Sequence, residues 1–406
     1  MEKYSIELIT RGEALEFIMN NWTPDNNTEW VALPDALGRV TAETLYARYS
    51  LPVYRVSSID GIAVKFEMFE NGVPDPSNWV KGVDYVRADT GDDFPDEFDT
   101  VIAVEDIILG ENGTLLGFPE HFEEQEYVKG DCVRAAGTRI KTGEVLVEEN
   151  TRLEPLHLAV LALGGVYQLK VIRKPKVVYI PTGDEMIPAG LKPGRGDHIE
   201  TNGLMVKGYL ENWGADAVCF PIIRDDVADL EAALDEAIAN ADIVLINGGS
   251  SMGEEDHNAS MLRRKATAFR HGIRMRPGYP VAIAIINGKI AINLPGPTLA
   301  TWLAMDWCVS AVVHRFLNQP APKRPTVKAK LAKPIRKELE WDMFGRFYLE
   351  KDAAGDLIAN QVGRRETEPT ALLKPNGVYI VPIGVSELPE GEEIDVELTN
   401  GLEFIG

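Results

Sequence analysis

Between Lys174 and Gln319, short apolar runs rich in β-branched residues alternate with helix-patterned stretches, and the runs break into polar, acidic loops. KVVYI (176–180) leads into Pro181-Thr182-Gly183-Asp184-Glu185. Residues 204–213 read as a helix ended by Gly214, a residue suited to the left-handed conformation just past a helix. Residues 218–223 are apolar and run into Arg224-Asp225-Asp226, where either aspartate can cap a helix carrying Val227, Leu230, Leu234 and Ile238 at helical spacing. ADIVLI (241–246) then breaks into Asn247-Gly248-Gly249-Ser250-Ser251-Met252-Gly253, followed by Glu254, Glu255 and Asp256. This alternation predicts an α/β fold with a parallel sheet between helices, whose ligands lie beyond the carboxyl ends of the strands. PTGDE, RDD and NGGSSMGEED all fall at those ends and should meet on one edge.

The residue types in these loops suit an anion. Gly248, Gly249 and Gly253 free the backbone to turn its N–H groups toward a phosphate, and Ser250 and Ser251 add hydroxyl donors. Asp184, Glu185, Asp225 and Asp256 are hard oxygen donors of the kind that hold Mg²⁺ beside a phosphate. Singly, each loop is equally well a flexible connection or a helix cap; three on one edge point to a ligand site. His257 has no second His or Cys at ligand spacing, so zinc is not expected.

A chain of 406 residues exceeds one core and suggests roughly three or four domains. The first ~45 residues read as mainly helical. From 51 to 142 the texture is β-like, with a hairpin signal at Gly110-Glu111-Asn112-Gly113, and a helix returns at 154–163 before Gly164-Gly165. The order predicts an elongated helical domain (1–45 and 147–173), an inserted β domain (46–146), a three-layer α/β domain (174–320) and a C-terminal β barrel (321–406). The α/β segment includes a hairpin turning at Asn287-Gly288 and a long helix at 298–317. The proline-dense linker at 319–325 precedes the barrel candidates TVKAKL, RFYLEK, VYIVPI and EIDVEL.

Lys and Arg total 41 against 63 Asp and Glu, a net charge of −22, which argues against nucleic acid or an acidic membrane as partner. No stretch approaches the ~20 apolar residues of a membrane span, and the N-terminus reads as a charged amphipathic helix, not a signal peptide. Cys132, Cys219 and Cys308 are scattered and odd in number, consistent with reduced core thiols in a cytoplasmic protein.

The order of motifs resembles that of the molybdopterin molybdenumtransferases, the family of MoeA and the gephyrin E domain. ALGRVTAE (36–43) precedes LPVYRVSSIDGIAV (51–64), whose Ser58-x-Asp60-Gly61-x-Ala63-Val64 core is characteristic. Thr90-Gly91, VIAVED, GDCVRAAGTRI, PTGDE, ETNG (200–203), IIRDD, NGGSSMGEED, MRPGYP (275–280) and LPGPT (294–298) follow in the family's order. The resemblance implies an elongated homodimer of four-domain subunits with a pterin-binding α/β domain. It implies a molybdotransferase of molybdenum cofactor biosynthesis, which takes adenylylated molybdopterin and molybdate as substrates, releases AMP with the help of Mg²⁺, and has molybdenum enzymes or other cofactor-biosynthesis proteins as partners. The cleft would lie between the α/β domain of one subunit and the SSIDG domain of the other.

Carried over residue by residue, the resemblance implies catalytic roles for Asp60, Thr90, Glu185, Asp225 and Asp256. Asp184, Glu185, Asp225 and Asp256 would hold the metal. Substrate contacts would come from Thr182, Gly183, Gly248, Gly249, Ser250, Ser251, Gly253, Arg276, Pro277, Pro295, Gly296, Thr298 and Arg346. Locally, Asp60 is equally an Asx-turn residue before Gly61, and Thr90 a turn hydroxyl. Four places depart from the pattern. Arg139 stands where the family usually has aspartate, Tyr279 where it has lysine, and Pro297-Thr298 where it has Asn-Pro. GRRETEPT (363–370) lacks the serine-rich run, although Arg364 or Thr367 can supply donors. These departures keep a second reading open, a non-catalytic molybdopterin or cofactor-binding carrier or sensor. Another α/β enzyme, such as a nucleotide pyrophosphatase or a dehydrogenase, is a third; the lack of G-x-G-x-x-G speaks against a dinucleotide fold.

Overall fold

The computed structural model describes residues 7–25, 27–110, 113–248, 257–363 and 368–399. The chain divides into two compact units, Thr28–Val171 and a second made of Met1–Asn27 with Ile172–Gly406.

The second unit holds a six-stranded sheet of β1 (Lys176–Pro181), β2 (Asp216–Cys219), β3 (Ile243–Asn247), β4 (Ala268–His271), β5 (Ala282–Ile286) and β6 (Lys289–Leu294), in the order β2-β1-β3-β6-β5-β4. β2, β1, β3 and β6 are parallel neighbours, as the alternation requires. β5 and β4 add an antiparallel edge. The two-residue turn between β5 and β6 needs positive φ at both positions, which Asn287 (51°) and Gly288 (77°) supply. Val178, Ile180, Val244 and Ile246 pack against Leu230, Leu234 and Ile238 of helix Val227–Asn240 and Leu262 of helix His257–Lys265. Each such side chain stabilises the fold by about 1.5–3 kcal/mol relative to exposure. Asp226 caps the first of these helices, accepting from the amides of Ala228 (2.9 Å) and Asp229 (3.1 Å). Helix Asn202–Trp213 ends at Gly214 with φ 94°. The long helix is interrupted: Thr298–Ala304 widens through a π turn at Met305–Val309 before Ser310–Phe316.

Five strands then close a barrel: β7 (Thr326–Leu331), β8 (Asp342–Lys351), β9 (Leu357–Gln361), β10 (Gly377–Val381) and β11 (Glu393–Leu398). They pair in the circular order β8-β9-β7-β11-β10, with β10 returning to β8. Met275–Arg276 pairs alongside β8 at Asp342 and Met343.

The N-terminus differs from its expected reading. One helix, Arg11–Asn21, is followed by strand Thr28–Ala32 and a single 3₁₀ turn, Leu33–Asp35. The segment TEWVA favours a strand, and Pro34 does not extend a helix. The helix groups with residues 172–406. Arg11 Nε donates to Asp342 (2.9 Å) and Arg274 N to Ile9 O (2.7 Å), fastening it to the α/β and barrel unit. In the other unit, Leu33, Leu45, Val147, Leu161 and Leu169 share one core. Strands Tyr85–Ala88, Gly61–Val64 and Thr100–Ala103 form a three-stranded sheet there. Glycine is required at 61, because a Cβ would sit 1.9 Å from the Ile102 carbonyl oxygen. The expectation of core cysteines holds for Cys308, which is buried; Cys219 is exposed, because β2 is the sheet edge.

Candidate functional site

The carboxyl ends of β1, β3 and β6 are knitted together by buried amides. Asn247 closes β3. Its Nδ2 donates to the Pro295 carbonyl (2.6 Å), and its Oδ1 accepts from Asn202 Nδ2 (2.8 Å) and the Tyr179 hydroxyl (2.9 Å). Asn202 Nδ2 also donates to Gly296 O (2.8 Å), so the ETNG and LPGPT segments are held to one side chain. Thr182 N donates to Asn247 O (2.9 Å), and Asn258 Nδ2 reaches Thr182 Oγ1 (3.1 Å) and Gly248 O (2.9 Å). Glu200 accepts from the Gly203 amide (2.8 Å) at the start of helix Asn202–Trp213, where a negative charge meets the helix dipole. The Tyr179 hydroxyl lies between Asn247 and Glu200 (3.1 Å); burial, with the Glu200 charge beside it, holds its pKa well above the ordinary range.

Over this floor opens a cleft of about 730 Å³ whose lining includes Thr182, Glu185, Gly248, Gly296, Thr298 and Glu368. Asp197, His198 and Glu200 line its other side, so its charge is predominantly negative. Beside it the PTGDE and RDD loops meet, with Gly183 N donating to Ile223 O (3.1 Å) and Asp225 N to Asp184 Oδ1 (3.4 Å). Burial raises the Asp225 carboxyl above its ordinary pKa; an amide at Asp184 opposes this, and the charges of Glu185 and Asp184 add to it.

A second, basic cleft of about 1120 Å³ lies where Met275–Arg276 meets the barrel. Arg276, Arg336, Lys337 and Arg346 line it, and among the described residues Glu338 is its acid, 3.1 Å from Arg276. Among the described residues Arg346 Nη1 has no hydrogen-bond partner although it is buried, and desolvation lowers the guanidinium pKa. The two clefts flank the first turn of helix Thr298–Ala304, since Thr298 lines one and Leu299 the other.

In the unit Thr28–Val171, Asp60 and Thr90 are brought together. One Asp60 oxygen accepts from the Thr90 amide (2.7 Å) and hydroxyl (2.8 Å), and these bonds, backbone first, hold the exposed carboxyl below its ordinary pKa.

Comparison with known proteins adds sequence-wide relationships to this geometry. The family model of the MoeA N-terminal region, domains I and II, matches residues 9–165, and that of the probable molybdopterin binding domain matches 178–315. A molybdopterin molybdenumtransferase of Haemophilus influenzae is 25% identical over 97% of this chain and 100% of its own, and one of Bacillus subtilis is 28% identical over 93% and 92%. A solved molybdopterin biosynthesis MoeA protein from Pyrococcus horikoshii superposes with a TM-score of 0.80 at 26% identity, covering 97% of this chain and 100% of that one. The chain belongs to the molybdopterin molybdenumtransferase family.

The residues carried over from that family fall in separate places. Thr182, Glu185, Gly248, Gly296 and Thr298 line the acidic cleft; Gly183 lies beside it, and Pro295 is buried beneath, engaged through its carbonyl. Arg276, Pro277 and Arg346 line the basic cleft. Asp184 and Asp225 adjoin each other next to Glu185. Among the described residues no three His, Cys, Asp or Glu side chains form a group that could hold a metal ion. Gly249, Ser250, Ser251, Gly253 and Asp256, like Arg364 and Thr367, lie outside the described residues. Tyr179, Glu200, Asn202, Asn247 and Asn258 are the residues sequence reasoning missed as site-builders. The ETNG motif carried a signal for two of them, but buried amides bonded across 45–94 residues leave no local pattern.

Proposed function

We propose that the chain is a molybdotransferase, which inserts molybdate into adenylylated molybdopterin and releases AMP. The observation that carries this reading is the pair of neighbouring clefts of opposite charge at one helix start. A substrate with metal-bridged phosphates suits the acidic cleft. A free oxyanion suits the basic one, where Arg346 has a buried N–H without a partner among the described residues. A basic cleft that keeps Arg346 and Arg276 favours the enzyme over a mere carrier of the pterin.

In this reading the backbone at Gly248 and the Thr182 hydroxyl receive the pterin phosphate at the strand ends. Arg346 and Arg276 hold the oxyanion. Mg²⁺ keeps several waters and takes one or two carboxylates beside substrate phosphates, so the adjoining Asp184 and Asp225 would hold it without the three-ligand group that the described residues lack. Bound there, the cation would neutralise phosphate charge and stabilise the leaving AMP. Asp256 would join it. The reading includes a homodimer, in which Asp60, oriented by its bonds from Thr90, acts at the other subunit's site, and a cytoplasmic location. The test is AMP release from adenylylated molybdopterin as molybdate is titrated. Release that requires molybdate and is lost in Arg346→Leu supports the proposal. Tight pterin binding with no AMP release at any molybdate or tungstate concentration overturns it in favour of the carrier.

A further inference from the structure

We infer that the groove beside helix Val227–Asn240 docks a basic amphipathic helix of a partner protein, one with two cations spaced two helical turns apart. The inference is independent of the proposed function. Helix Asn202–Trp213 covers one face of the edge strand β2, where the Cys219 thiol donates to the Gly203 carbonyl at 3.8 Å. The other face lacks such a cover. Val218 pairs in register with Val178, so the two side chains share a face of the sheet. Val178 is buried under helix Val227–Asn240, whereas Val218 is 54% exposed. One helix position over the sheet, beside Val227–Asn240 and above β2, is therefore open among the described residues. At the carboxyl end of β2 a groove of about 680 Å³ opens, with Phe220, Ile222, Asp229, Ala232 and Glu236 in its lining.

Charge decides what fits there. Helix Val227–Asn240 carries carboxylates on two flanks. On one, Glu231 and Asp235 are met by Arg264 (2.5 Å) and Lys265 (2.7 Å) of the neighbouring helix His257–Lys265. On the groove flank, Asp229 and Glu236 stand at i and i+7 with Ala232 and Ala233 between them, and neither has a basic partner among the described residues. Seven residues at 1.5 Å each set them about 10 Å apart along the axis. The chain thus neutralises one flank with a basic helix of its own and leaves the matching flank to be filled. The two alanines let a second helix approach closely, and Phe220 and Ile222 offer it apolar surface. Arg224 is the groove's cation among the described residues. Two residues before the cap Asp226, it lies at the Asp229 end and suits the negative carboxyl end of the incoming helix, which therefore runs antiparallel to Val227–Asn240.

Isothermal titration of the full chain with synthetic helical peptides of Ala, Leu and Gln tests this. One peptide carries two arginines two turns apart beside its leucine stripe, and a second carries glutamates in their place. The wild type binds the arginine peptide about tenfold more tightly than the glutamate peptide, because two attractions become two repulsions. Asp229→Lys combined with Glu236→Lys reverses that order, which also reports an intact fold. A proline placed mid-peptide weakens binding, since it breaks the helix. No binding of the arginine peptide, an unchanged order in the double variant, or full binding of the proline peptide overturns the inference. So does light scattering in which Val218→Asp lowers the particle mass of the free chain, because a second copy of this chain would then fill the groove.

Discussion

The pKa of Asp60 is lowered chiefly by one neighbour, Thr90. With both Thr90 donors on a single oxygen, its carboxyl should titrate below the ordinary 3.8, and Thr90→Val, which removes the hydroxyl and keeps the amide, should move it part of the way back up. Because the folded pKa is the lower one, the stabilising contribution is present above the unfolded value and is lost as pH falls through the folded value. Carbon-detected NMR of the Asp60 carboxyl reads this directly; an unchanged titration in the valine variant would show that the threonine is only a turn residue. Asp225 carries the opposite sign. Its pKa is raised, first by burial, so its ionised form opposes folding, and that cost is fully present above the folded pKa. Asp225→Asn should therefore raise the melting temperature slightly, by an amount worth less than about 1 kcal/mol for a partly solvated group. The wild type should gain further stability with MgCl₂ and the variant should not. A variant that melts lower, or still responds fully to magnesium, removes Asp225 from the cation site.

Elements that carry the site were legible where local chemistry dictates them. The spacing of Val227, Leu230, Leu234 and Ile238 gives the helix Val227–Asn240; Asn287-Gly288 gives the hairpin, and Gly214 the helix end. The barrel strand Leu357–Gln361 was not legible, because LIANQ does not alternate apolar and polar residues. The helix Arg11–Asn21 was visible as a helix, but its place was not: a bond from Arg11 to Asp342 spans the chain and has no local signature. At the strand end, Gly248 was legible as a flexible residue, though its constraint was not. It has φ 129°, and a Cβ there would lie 2.4 Å from Thr182 Oγ1 and 2.7 Å from its carbonyl oxygen. Gly248→Ala must push β1 and β3 apart at their ends, at a cost of about 2 kcal/mol or more. Denaturant unfolding should show that loss together with weakened pterin binding. Full stability in this variant would mean that the strand ends are not held as tightly as the bond from Thr182 N to Asn247 O implies.

At the scale of the whole molecule, the proposed function requires two copies. The unit that carries Asp60 and Thr90 also presents large apolar side chains to solvent: Trp30 and Tyr167 at 65% exposure and Leu156 at 80%, on neighbouring elements. Surface of this kind marks an interaction face, and a self-complementary one closes a twofold dimer. Light scattering should give twice the mass of the chain, and Leu156→Asp should shift the distribution toward monomer. The sharper test uses two inactive variants. Asp60→Asn and Asp225→Asn chains each lose turnover alone. If the two carboxylates serve one site from different subunits, mixed dimers contain one site with both residues intact and one with neither. Random exchange makes half the dimers mixed, so activity should return to about a quarter of the wild-type level. Exchange verified by differential tagging, with no recovery of AMP release, would place both carboxylates in the same chain's site or remove one of them from it.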